Sequence, residues 1–157
     1  MGSPALFELT FQPSFELVPE VRDFVESLYL RILRDADLSG RLAIATHELL
    51  ENAVKYSSDG ATSLRVEVVP NAGACAVVVQ TRNRADDQHV AVLRGYLDEM
   101  RASGDPTGYY YQRMRRAARD ASASQLGLAR VQCEAEMRLS CTIEGDTVTI
   151  NAEATVR

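Results

Sequence analysis

The 157-residue chain is short of several things, and each shortage excludes something. Its three cysteines, Cys75, Cys133 and Cys141, form no C-x-x-C pair and leave an odd thiol if two were bridged, which predicts reduced, buried residues in a cytoplasmic protein. Only two histidines are present, His47 and His89, with no third ligand at a metal-site spacing, so no zinc centre is expected. There is no excess of cations: the net charge of −5 argues against a general nucleic-acid or membrane-surface binder. No apolar run approaches the roughly 18–20 residues that cross a bilayer, and no charged start followed by an apolar core marks a signal peptide. Lysine is almost missing, since among 17 cationic side chains only Lys55 is a lysine. The remainder is ordinary: 46% hydrophobic and 25% charged residues describe one globular domain over positions 1–157, without repeat or linker.

Periodicity divides the chain into elements. Ala5 to Phe11 alternates in its second half and predicts an edge strand ending near Pro13. Val21, Phe24, Val25, Leu28 and Ile32 recur at helical spacing between about Val18 and Leu33. Asp37-Leu38-Ser39-Gly40 reads as a break, with Ser39 capping a second helix to about Ser57 before a turn at Ser58-Asp59-Gly60. Ser63–Val69 and Cys75–Thr81 read as a hairpin across Pro70-Asn71-Ala72-Gly73. A helix follows from about Asp86 to Met100, interrupted at Ser103-Gly104-Asp105-Pro106. The segment Tyr109 to Arg116 is basic, aromatic and expected to be helical, and Ala121 to Ser124 leads to a last helix over about Leu126–Met137. Two strands around Glu144-Gly145-Asp146 close the chain. The order predicts a two-layer α/β sandwich, with a mixed, mostly antiparallel sheet covered by helices on one face.

The second helix carries the densest chemistry, in His47-Glu48-Leu49-Leu50-Glu51-Asn52-Ala53-Val54-Lys55-Tyr56. At about 100° per residue, Glu48, Asn52 and Lys55 share one narrow stripe beside an apolar stripe of Leu42, Ala45, Leu49, Ala53 and Tyr56. A carboxylate, a carboxamide and an ammonium in line suit a proton acceptor, a metal ligand through the amide oxygen, and a phosphate partner. The same spacing also occurs on solvated helix faces, where Glu51 and Lys55 would form an ordinary i,i+4 pair. His47-Glu48 does not extend to H-E-x-x-H, because position 51 is Glu.

Glu48-Leu49-Leu50-x-Asn52-Ala53-Val54-Lys55 resembles the N-box of the GHKL superfamily, which contains histidine-kinase ATPase domains, gyrase-type ATPases and anti-sigma-factor serine kinases. Gln125-Leu126-Gly127-Leu128-Ala129-Arg130-Val131 is similar to that superfamily's second glycine box, and the order of elements agrees over nearly the whole chain. The resemblance implies a Bergerat-like fold that binds ATP and magnesium. Glu48 would then be the general base, Asn52 the magnesium ligand and Lys55 a phosphate partner, while the turn at Gly127 and Leu128 would hold phosphate through free N–H groups at a helix start. Read locally, Gly127 serves equally for tight helix–sheet packing.

The chain departs from the superfamily after the strand Cys75–Thr81. Where Asp-x-Gly-x-Gly is usual, it has Arg82-Asn83-Arg84-Ala85-Asp86-Asp87, and Gln125 stands where a glycine is common. Asn83 could bond a base edge, Asp86 or Asp87 could substitute for the missing aspartate, or Arg82 and Arg84 could fill the pocket. The combination is similar to the SiaB-type branch, protein kinases of partner-switching pathways. It implies bacterial signalling through a protein partner carrying a serine phosphoacceptor, with a homodimer possible. The alternative is a degenerate pseudo-kinase that binds partners without ATP. Nucleic-acid binding by Tyr109–Tyr111 with Arg113, Arg115, Arg116 and Arg119 ranks below a partner or dimer surface.

Overall fold

A computed structural model describes residues 4–12, 15–58, 61–105, 108, 109, 112 and 126–157. Most of the basic aromatic segment, the stretch 121–125 and the Asp59-Gly60 turn lie outside the described residues, so the expectations placed on them have no counterpart here. The elements run β1 (Ala5–Phe11), α1 (Leu17–Leu33), α2 (Ala36–Tyr56), β2 (Thr62–Asn71), β3 (Ala74–Arg84) and α3 (Asp87–Ser103). They continue with α4 (Leu126–Glu134), β4 (Arg138–Glu144) and β5 (Thr147–Val156).

The five strands form one antiparallel sheet in the order β1-β2-β3-β5-β4. Side chains alternate between its faces. Leu64, Val66, Val68, Val77, Val79, Val148, Ile150 and Ala152 point to the helical layer and are essentially sealed from water. The other face carries polar residues such as Gln80 and Asn151, whose amides bond at 3.0 Å, and Arg65, which pairs with Glu8. One buried and one wet face on an antiparallel sheet is the expected two-layer sandwich.

The hairpins are tighter than the composition suggests. β2 runs through Pro70 to Asn71, leaving Ala72 and Gly73 as a two-residue loop with φ of 48° and 83°. Two successive positive φ angles are what a type I′ turn needs to match the twist of the strands it joins.

α2 begins earlier than expected. Its cap is Asp35, whose carboxylate accepts from the Leu38 N–H at 3.0 Å, and the chain turns at Arg34 in a left-handed conformation, φ 56°. Ser39 is therefore a buried residue within the helix and not its cap, and Asp37 to Gly40 break nothing. In α1, Tyr29 takes the core place that spacing gave to Phe24. Phe24 is 50% exposed and leans on Phe7 of β1, ring centroids 4.7 Å apart. The three cysteines are free and half-buried, not fully buried. Burial pushes the Cys141 thiol above its usual range, partly offset by Arg101 and Arg94.

α1 packs against α2, and α2 lies across β2 and β3 with α4 beside it. Leu42, Leu49 and Leu50 are completely buried there. Each such leucine contributes about 1.5–3 kcal/mol by leaving water.

Candidate functional site

The expected apolar stripe of α2 holds: Leu42, Ala45, Leu49 and Ala53 are sealed in the core, with Tyr56 half-buried. That fixes the rotation of the helix, so the adjacent stripe of Glu48, Asn52 and Lys55 leaves the core, with Glu48 at the interface with α4.

Glu48 is the most constrained of the three. Its side chain is 18% exposed, and Oε1 accepts a hydrogen bond from Arg130 Nη1 of α4 at 3.0 Å. Its other oxygen, Oε2, lies against Gly127, where an added Cβ would stand only 2.4 Å away. A side chain at this position would have to displace the Glu48 carboxylate from where it stands. α4 has no acidic residue in its own first turn, so a carboxylate from α2 supplies the negative charge that a helix start favours. Arg130 also reaches Glu134, one turn on, with Nε 3.8 Å from Oε2.

Asn52 is half-buried one turn beyond Glu48. Lys55 is exposed, its ammonium 5.4 Å from the centre of the Tyr56 ring. Glu51 pairs with His47 at 2.9 Å and not with Lys55, which frees the lysine from the expected i,i+4 pair. Leu128 points into the core, 2% exposed, so only its backbone is available to a ligand.

Asn83 sits on the helix-facing side of β3, 5% exposed, between Thr62 of β2 and Val148 of β5. Its Nδ2 donates to the Arg84 carbonyl at 3.3 Å, leaving its side-chain oxygen as an acceptor. Arg82 and Arg84 alternate to the open face, and both line the cavity at the strand ends beside Asn83. Asp86 is committed as the α3 cap, accepting from the His89 N–H at 2.8 Å. The Ser58 N–H donates to the Arg84 carbonyl at 2.8 Å, fastening the end of α2 to the end of β3.

Sequence reasoning missed three polar groups. Thr62 and Thr81 flank Asn83 on the same face, are 1% exposed each, and their hydroxyls have no hydrogen-bond partner among the described residues. Buried hydroxyls are nearly always bonded, so these two, beside an amide with an open acceptor, leave polar groups to be satisfied by a further partner. The period-2 pattern of β2 and β3 contained this signal, because it puts both threonines on the apolar side. Arg130 was passed over as part of a glycine-box match. Glu48 and Gly127 are brought together by the fold, whereas the cavity of about 250 Å³ at Asn83 and Thr62 is lined by none of Glu48, Asn52 or Lys55.

No helix among the described residues is long and apolar enough to cross a membrane. The sequence matches no protein-family model, and comparison with curated proteins gives no match. The fold is similar to that of a chain in the crystal structure of the SiaB–SiaC complex from Pseudomonas aeruginosa. That similarity has a TM-score of 0.64 at 14% identity, over 96% of this chain and 89% of the other.

Proposed function

We propose that this chain is a signalling domain that works on a protein partner as an ATP-dependent serine kinase of the GHKL type. The observation that supports it most is the pair of orphaned hydroxyls, Thr62 and Thr81, beside Asn83. They lie beside Asn83 on the strand face where the resemblance expects a nucleotide base, with Thr62 and Asn83 lining a cavity at the strand ends, and together with that amide they would offer donors and acceptors to a purine edge without the missing aspartate. The likeness of the fold to a chain from a two-protein complex supports a protein partner.

In this reading Asn83 and Thr81 hold the base, the Asn52 amide oxygen holds magnesium, and Lys55 with the Gly127–Leu128 backbone holds the phosphates. Bound ATP and magnesium supply the transferable phosphoryl group and its charge neutralisation. Glu48 would take the proton from the partner's serine hydroxyl as that oxygen bonds to the γ-phosphorus and ADP leaves with the bridging oxygen. The ammonium of Lys55 is compact and mobile, unlike a guanidinium, and follows charge as it shifts.

One observation favours the second reading, a partner-binding domain without phosphate transfer: the Glu48 carboxylate is already occupied by Arg130. Transfer from γ-labelled ATP to a partner decides between them. A labelled protein seen with the natural chain and lost at least about 100-fold with Glu48→Gln supports the kinase. Equal labelling by both, or none despite bound ATP, contradicts it.

A further inference from the structure

Strand β4 is an edge of the sheet. It pairs with β5 alone, so the outward N–H and C=O groups of alternate residues have no strand to bond among the described residues. Soluble proteins blunt such edges with charge, proline or cover, yet Leu139 to Ile143 hold neither charge nor proline. Cover is incomplete as well. The helix-facing row Leu139, Cys141 and Ile143 is only half-buried, whereas Val148 and Ile150 of the neighbouring strand are 2% exposed.

Beside this row runs a groove of about 280 Å³ between β4 and α3, lined by Leu97, Cys141 and Ile143 together with Arg94, Asp98 and Arg101. Arg94 and Arg101 are seven residues apart on α3, roughly 10 Å along its axis. Both guanidiniums act on the Cys141 thiol, which places the two charges around one point of the strand. Neither has an ion-pair partner among the described residues, although the chain as a whole carries a net charge of −5. With Asp98 counted, the groove keeps an excess of positive charge.

We infer that the β4 edge docks an extended, acidic segment of a protein partner as a sixth strand, with its carboxylates in the groove against Arg94 and Arg101. Backbone pairing supplies the affinity, and alternate side chains supply the selection. A second copy of this chain fits poorly, because a sheet continued through two β4 edges brings like guanidiniums to one seam. The chain's own stretch with Arg113, Arg115, Arg116 and Arg119 also has the wrong sign. None of Glu48, Asn52 and Asn83 lines this groove, so the inference stands or falls apart from nucleotide binding and phosphate transfer.

The probe is a synthetic peptide, acetyl-Thr-Glu-Val-Glu-Val-Glu-Thr-amide, titrated into the ¹⁵N-labelled full chain. The backbone signals of Leu139 to Ile143 and the Nε–Hε signals of Arg94 and Arg101 should move together and saturate. Replacing every Glu of the peptide by Gln, or combining Arg94→Glu with Arg101→Glu in the chain, should weaken binding at least about tenfold. Methylating alternate peptide nitrogens, in each of the two phases, should abolish binding in one phase only, because a strand turns every second N–H to its neighbour. No saturable shift at millimolar peptide, shifts confined to other elements, or binding indifferent to charge or to methylation would overturn the proposal. So would β4 signals that change with protein concentration alone, since a second copy would then hold the edge.

Discussion

Helix α2 is fastened through polar groups on two sides, and the two fastenings differ in kind. Towards α1, the Tyr29 hydroxyl donates to Thr46 Oγ1 at 2.8 Å, and the Thr46 hydroxyl in turn donates to the Leu42 carbonyl at 2.8 Å. Both residues are completely buried, the groups are neutral, and the donor chain ends on the backbone. Towards α4, Glu48 and Arg130 are ionised and partly exposed, with a second carboxylate within reach. A buried neutral chain is held in one arrangement, whereas a partly exposed ion pair yields at little cost. The contrast teaches that α2 is a fixed platform on one flank and an adjustable one on the other.

The largest effect is expected from breaking the fixed side. Thr46→Val leaves the Tyr29 hydroxyl buried without its partner and should cost about 1–3 kcal/mol, measured by urea unfolding. A loss no larger than that of an exposed substitution would mean the two flanks do not differ.

The same flank has a pH signature of intermediate size. Burial, partly offset by the Thr46 bond, pushes the Tyr29 phenol well above its usual range. The unfolded chain therefore releases this proton first, near pH 10, and the folded state loses stability as pH rises beyond that. Tyr29→Phe should show a shallower decline above pH 10 in thermal melts. An identical decline would remove Tyr29 from the account.

The smallest effect on stability is expected on the adjustable side. In Gly127→Ala the new Cβ meets the end of a flexible side chain, Glu48 Oε2, which can rotate away. The cost should be under about 1 kcal/mol, yet the Glu48–Arg130 bond should be lost, seen as a displaced Arg130 Nε–Hε signal in the ¹⁵N-labelled chain. A loss of several kcal/mol would show that Glu48 cannot move and that both flanks are rigid.

Much of the architecture was legible in the sequence because it follows from periodicity. The strands, the helices and the buried face of α2 are set by where apolar side chains recur. The first boundary of α2 was not, because Asp35 and Ser39 are both good caps and only tertiary burial chooses between them. The burial of Tyr29 in place of Phe24 was not legible for a similar reason: the fold supplies a partner for the tyrosine hydroxyl, and spacing carries no such information. Within the site, Glu48, Asn52 and Lys55 could be listed from one helix. The bond between Glu48 and Arg130, 82 residues further on, depends on how α4 packs. The threonines beside Asn83 were readable as buried, but an unbonded hydroxyl is a property of three dimensions.

The central claim is that the recess at Asn83 and the Asn52 face bind one nucleotide. Calorimetric titration of the full chain with ATP and magnesium tests it directly. The account predicts saturable binding at a single site, weakened roughly tenfold or more by Asn52→Ala and by Thr81→Val. Absence of heat at millimolar nucleotide, or binding indifferent to both substitutions, would contradict it.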